Sequence, residues 1–504
     1  MKYELSILPE PELEFGNNQK MRDPHDGLTL FGPSDLKKSQ SKPKSISYAV
    51  VGTEEGISSF EKMISALQKP IFPEEKLNKE IWPPFPGFET VFSTELPLEP
   101  IWKHFLNKED LVKTSLQNDK HKRAFEVVTK YLDKISLSST KRDEKIDVII
   151  CIVPDEIYKN CKPESRVIDG WGDKPSSKEL KNYKKGQFSL FSNNQNIGIY
   201  NFSVDFRRQL KARAMKHKIP IQIIRESTLS LEKDENDFKK RKLTTLSDRA
   251  WNLSTTLYYK AGGRPWKLST ARDGVCYIGV AFKKKDNSSS SKMATCAAQM
   301  FLNSGEGVIF LGDEGPWYSQ VRGQFHLTKD AAKGLLQGIL KSYSMLEGKE
   351  LKEIFVHSRS EVNKEEMEGY MEACPKGVKL VVIRVRIERD GLKLFRNGTR
   401  PVMRGTFLKV NEKSGFLWGS GFKPCLGVYD GWEIPVPLKI NILQGSSQIE
   451  QVAKDILGLT KLNYNTCKLG DSEPVTIKFS DAVGEILVSN PNVKEIMPQF
   501  KYYI

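Results

Sequence analysis

Asp205-Phe-Arg-Arg-Gln-Leu-Lys-Ala-Arg213, Ile219-Pro-Ile-Gln-Ile-Ile224 and Asn252-Leu-Ser-Thr-Thr-Leu-Tyr-Tyr-Lys-Ala-Gly-Gly-Arg-Pro-Trp266 follow one another as three segments of different character. The first reads as a strongly basic helix running from 206 to 218. Arg207 and Lys211 lie four apart in it and share one face. Two cations stacked in this way can grip a phosphate, above all where a helix N-terminus points at it. A solvated basic face is the competing reading of that segment alone. The second segment is an apolar strand that carries one amide, Gln222. The third is a helix ending at Lys260, stopped by Gly262 and Gly263 and barred from continuing by Pro265. A lysine at that place either caps helix carbonyls or meets a ligand.

Upstream of these segments, Ser45-Ile-Ser-Tyr-Ala-Val-Val-Gly52 is β-rich. Ile57, Phe60, Met63, Ile64 and Leu67 then recur at helical spacing. KIDVIICIV at 145–153 is a further buried strand. The stretch 1–260 therefore predicts a Rossmann-like α/β domain with an N-terminal extension and insertions. No GxGxxG stands at a strand–helix turn, which speaks against dinucleotide binding. The charged run 232–242 reads as a solvated linker. Beyond it, 274–282, 307–311, 353–357, 378–387 and 393–395 predict strands, and 329–346 and 448–457 predict helices. This order fits a ribonuclease-H-like mixed sheet over 261–504. DNSSSS at 286–291 reads as a loop tip, and 37–44 as a polar, basic patch.

The succession of basic helix, IPIQII strand, helix closing on K-x-G-G-x-P-W and strand YIGVAF resembles the MID-to-PIWI junction of Argonaute proteins. Leu459-Thr-Lys-Leu-Asn-Tyr-Asn465, Pro474-Val-Thr-Ile-Lys478 and Ala482-Val-Gly-Glu-Ile486 resemble that family's last PIWI helix, strand and helix. The resemblance implies a pocket for a guide 5′ phosphate made by Arg207, Lys211, Gln222 and Lys260. The carboxylate of Ile504 would join them through a Mg2+ ion. Asn465 and Lys478 would touch the following guide phosphates. Fewer than 210 residues precede the basic helix. Phe15-Gly-Asn and Arg22-Asp-Pro-His-Asp-Gly-Leu-Thr-Leu-Phe-Gly-Pro33 look like the opening of short prokaryotic Argonautes. Such proteins partner an APAZ-containing effector, a TIR or Sir2 domain more often than a nuclease. The resemblance thus implies a guide RNA, a single-stranded DNA target, and a heterodimer that oligomerises on target binding. The role implied is defence against plasmids or phage.

A ribonuclease-H-type nuclease needs clustered carboxylates to hold two divalent ions. At the first position the family uses, this chain has Ala281; at the strand end after 354–356 it has Arg359. The final His or Asp is expected near Pro435-Val-Pro-Leu-Lys439, which has neither. The reading is therefore a non-cutting guide binder rather than an enzyme. Asp313 and Glu314, between glycines, read as an exposed turn, and His357 as structural. Asp471, Glu473 and Asp481 are too scattered in sequence to form a recognisable set.

Composition agrees with this class. Lys plus Arg number 78 against 63 acids, a net charge of +15, which draws polyanions by counterion release. The seven cysteines form no CxxC pair, so neither a zinc site nor a disulfide framework is implied, as suits a cytoplasmic protein. No apolar run is long enough for a membrane helix, and the N-terminus has no signal core. Two alternatives remain: an active guided nuclease with displaced acids, and a generic basic nucleic-acid-binding protein.

Overall fold

The structure is a computed structural model. It describes residues 3–37, 42–74, 79–140, 145–168, 170–173, 176, 178, 197–231, 243–284, 294–301, 307–315, 325–346, 350–389, 391–490 and 497–504. The expected linker 232–242, the loop tip 286–291 and the middle of the 37–44 patch lie outside the described residues. Among the described residues no helix is long and apolar enough to cross a membrane.

The first half is built on a four-stranded, all-parallel sheet. Its spatial order is Trp102–Phe105, Tyr48–Gly52, Val148–Val153, Ile221–Arg225. The two inner strands are buried along their whole length, as continuous apolar runs covered on both faces must be. Helix Glu54–Leu67 covers one face and helices Lys120–Thr140 and Phe206–Ala214 the other. The Thr53 side chain starts the first of these by accepting from Gly56 N at 3.0 Å. The basic helix is shorter than its composition predicts. It ends at Ala214, continues as one 3-10 turn, Met215–His217, and Lys218 turns left-handed at φ 56°.

The second half is a nine-stranded mixed sheet. Strands Val275–Lys284, Glu353–Ser358 and Lys379–Ile387 run parallel at its centre, and antiparallel strands flank them. Helix Val475–Leu487 lies across the central strands. A Cβ at Gly279 would stand 1.8 Å from Thr476 O, so only glycine lets this helix approach the sheet. The fold class is the expected one, a Rossmann-like unit followed by a ribonuclease-H-like unit.

Several local expectations fail. The stretch 474–478 is not a strand: Pro474 caps, and Val475 begins, one continuous helix. A proline before a helix gives up no needed N–H, and that position hides the start from a strand-biased reading. No strand forms at 393–395. Asp313 and Glu314 lie within strand Gly307–Gly315 and not in a turn, their flanking glycines notwithstanding.

The expected division at residue 260 does not describe the N-terminus. Strand Glu4–Ile7 pairs with Thr406–Asn411 as the edge of the second sheet, and Leu13–Glu14 pairs with Lys267–Leu268. Between them Glu10 accepts from Arg404 Nε at 2.9 Å and Lys461 Nζ at 3.0 Å, both cations being buried. Burial opposes charge on Glu10, but Arg404 and Lys461 hold its pKa below the ordinary value of 4.5. A depressed folded pKa gives stability that is present above the unfolded value and lost as pH falls through the folded one. Glu10→Ala, which strands two buried cations, should cost about 3–5 kcal/mol at pH 7. Thermal melts of wild type and variant should converge as the pH falls through the folded pKa of Glu10, itself below 4.5.

Candidate functional site

Asp205 caps the basic helix by accepting from Arg208 N at 3.0 Å, and Phe206 and Leu210 bury its inner face. This turns Lys211 inward, to 4% exposure, and leaves Arg207 exposed one turn earlier. Lys260, the last residue of helix Leu246–Lys260, is fully buried. Gly262, at φ 100°, then reverses the chain. Both ammonium groups meet the C-terminal residues. Lys211 Nζ donates to Tyr503 O at 2.9 Å, and Lys260 Nζ donates to Ile221 O at 2.6 Å and to Ile504 O. Four of the expected residues, Arg207, Lys211, Lys260 and Ile504, thus come together from three distant stretches.

The electrostatics are unusual for lysines. Burial, then Arg207, then Lys260 depress the pKa of Lys211 well below its ordinary value. Burial and then Arg207 push Lys260 down to about 7. Among the described residues no acidic side chain pairs with either lysine. Three cations held together, among the described residues, without an acidic side chain make a preorganised receptor for a polyanionic group.

Beside them opens a cavity of about 330 Å3. Arg207, Gln222, Arg225, Asn252, Thr256 and Asn465 line it, so Arg207 is common to cavity and lysine cluster. Gln222, half-buried, follows directly on the Ile221 carbonyl that Lys260 grips. Sequence reasoning missed Asn252 and Thr256. Their i, i+4 spacing ahead of Lys260 was the available signal. Lys478 does not line this cavity. It bonds Asp471 Oδ2 at 2.8 Å, and Lys468 holds the other oxygen at 2.7 Å.

A second cluster lies on the nine-stranded sheet. Val280 and Ser358 are paired in register, so Ala281 and Arg359 follow at adjacent strand ends. Arg359 Nε lies 3.0 Å from Asp481 Oδ2, and its Nη2 3.1 Å from Glu473 Oε2. Lys283 Nζ lies 3.2 Å from Asp481 Oδ1 and 3.5 Å from Glu485 Oε1. Glu485 also reaches Arg208 Nη2 at 2.8 Å. Acids dismissed as scattered are thus gathered here, because helix Val475–Leu487 brings Asp481 and Glu485 to one face. The position sought near 435–439 is elsewhere: Lys439 pairs with Arg386, on the far side of the Lys379–Ile387 strand from Arg359. A guanidinium and an ammonium occupy the space between these carboxylates. Among the described residues no group of three or more His, Cys, Asp or Glu could hold a metal ion. His357 is structural: its Nδ1 meets Thr476 Oγ1 at 2.8 Å, and burial pushes its pKa to about 3.

The comparisons with known proteins agree with this geometry. No family model matches the chain. In sequence it is 24% identical over 284 residues to the protein argonaute of Aquifex aeolicus (strain VF5), 55% of this chain and 35% of that protein. In structure it is similar to Clostridium butyricum Argonaute bound to a guide DNA and a 19-mer target DNA. The TM-score is 0.61 at 17% identity, over 98% of this chain and 54% of that one. A. aeolicus Argonaute with externally bound siRNA gives a TM-score of 0.56 at 16% identity, over 99% and 56%. The chain therefore has the MID–PIWI fold of Argonautes, and it spans about half the length of the solved chains it matches.

The lysine cluster leaves a mark on stability. In the folded chain Lys260 loses its proton near pH 7, whereas in the unfolded chain it does so near the ordinary value of 10.5. Between those values the unfolded chain holds the extra proton, so stability rises with pH from about 7 to about 10. Melts in EDTA without nucleic acid should show this rise in wild type, and it should be shallower in Lys260→Met.

Proposed function

We propose that this chain is a short prokaryotic Argonaute that binds a guide strand by its 5′ phosphate, pairs it with a target and does not cut. The observation that carries the reading is the cation set Arg207, Lys211 and Lys260, with no acidic side-chain partner among the described residues, set against the Ile504 end and opening on the cavity lined by Gln222, Asn252 and Asn465. A terminal phosphate would let the lysines that burial and mutual repulsion keep from charging take up their protons and pair with it. The adjoining cavity takes the first nucleoside. Asn465 stands where the strand would leave, and Lys478 would have to exchange Asp471 for a phosphate to join it. The chain itself offers a Mg2+ ion only the Ile504 end, already engaged by Lys260 and surrounded by cations. Phosphate oxygens of the strand would have to complete the ion's shell.

The non-cutting part of the proposal rests on Ala281, Arg359 and Lys283. Two fixed cations neutralise Glu473, Asp481 and Glu485 where in-line hydrolysis would require divalent ions. A guide binder that does not cut needs an output. The resemblance of its opening residues to short Argonautes supports an APAZ-containing effector, TIR or Sir2, switched on when an RNA guide finds single-stranded DNA. Base pairing supplies the sequence specificity.

Anisotropy titration of a short RNA with and without its 5′ phosphate tests the reading. Wild type should prefer the phosphorylated strand by about 10- to 100-fold, the scale of one charge-assisted hydrogen bond. Lys211→Ala with Lys260→Ala should remove the preference. Equal binding of both strands by wild type would overturn the reading in favour of a generic basic binder. Divalent-ion-dependent cutting of a matched target would overturn its non-cutting half.

A further inference from the structure

The N-terminal stretch 22–33 has no part in the site described so far, yet it reaches the back of the nucleoside cavity. Asp23 caps helix Pro24–Phe31 by accepting from His25 N at 2.8 Å. The same oxygen meets His25 Nδ1 at 2.8 Å. On its other side the imidazole faces the Cys467 side chain. It also stands edge-on to Trp251, ring centroids 5.1 Å apart. Cys467 N in turn donates to Asn252 Oδ1 at 2.8 Å, and Asn252 lines the cavity. The four side chains Asp23, His25, Trp251 and Cys467 are buried.

This bond fixes which way the Asn252 amide faces. An N–H can only donate, so Oδ1 must point at Cys467, and the NH2 group is left for whatever enters the cavity. Trp251, the residue before Asn252 on the same helix, is braced by His25 and by Phe85. Burial opposes charge on His25, while Cys467 and Asp23 on its two sides raise its pKa well above the usual imidazole range. The ring, bonded to Asp23 on one side and facing Cys467 on the other, sits between the N-terminal helix and the 465–467 turn.

We propose that Asp23, His25 and Cys467 are positioning residues that hold Asn252 as a fixed hydrogen-bond donor toward an acceptor on the terminal nucleoside. The N-terminal segment then tunes how the base, rather than the phosphate, of the first nucleotide is held. This inference rests on the guide-pocket reading and deepens it.

The test uses the full chain and 5′-phosphorylated RNA whose first residue is either an ordinary nucleotide or abasic. His25→Ala should weaken binding of the ordinary strand by about fivefold, the scale of one hydrogen bond, and leave the abasic strand unchanged. Asn252→Ala should do the same, and the double variant should be no worse than Asn252→Ala alone, since the relay acts through that residue. A paired set guards against misfolding. Cys467→Ser keeps a polar group facing His25 and should bind as wild type; Cys467→Val removes it and should behave as His25→Ala. Equal losses on ordinary and abasic strands, or additive losses in the double variant, would overturn the relay. If wild type also ignores the 5′ phosphate, the guide-pocket reading fails with it. If phosphate preference persists while the abasic difference is missing, the relay alone fails.

Discussion

Two lysine ammonium groups buried against the last two residues of the chain set the terms for the rest of this molecule. Lys211 comes from the Rossmann-like unit and Lys260 from the helix that leads into the second unit; Tyr503 and Ile504 arrive from the far end of the sequence. Burying cations without acidic side chains beside them is costly, and the depressed pKa values of both lysines record the cost. Such an arrangement persists only if the surrounding fold holds it. That is why the C-terminal tail is fastened at several points, among them Tyr502 OH to Lys218 O at 2.8 Å.

The seam between the two units serves the same end. Arg208 on the basic helix meets Glu485 on the helix that crosses the second sheet, and Ser203 N meets Ser489 O at 3.2 Å. The Glu485 contact belongs to the ion-pair chain that ends at Arg359. The ion pairs around Arg359 therefore also tie that sheet to the helix that carries Lys211. The carboxylates that Arg359 and Lys283 engage are thus the ones that hold the two units together at this seam.

Much of this was legible in the sequence because period and chemistry coincided. The buried runs at 148–153 and 221–225, the helix ending at Lys260 and the helix 329–346 lie where apolar spacing and Gly/Pro punctuation put them. The grouping of Arg207, Lys211 and Lys260 was legible only through the resemblance to Argonautes, since each segment alone also reads as a solvated face or a helix cap. What stayed hidden depends on long-range pairing. The half-buried strands at 406–411, 414–417 and 438–444 have patterns too short to stand out. Nothing local to Glu4–Ile7 says that its partner lies 400 residues away. Reading 474–478 as a strand separated Glu473 from Asp481 and concealed the acids that face Arg359. His25 and Cys467 likewise meet only through the tertiary fold.

The most direct test of the account is a crystal structure of the chain with a 5′-phosphorylated RNA strand. The expected result is the terminal phosphate within hydrogen-bond reach of Lys211 and Lys260, beside Arg207 and the Ile504 end, with the first nucleoside in the cavity lined by Gln222 and Asn252. A strand bound with its 5′ end elsewhere, leaving the lysines still bonded only to Tyr503 and Ile504, would contradict it.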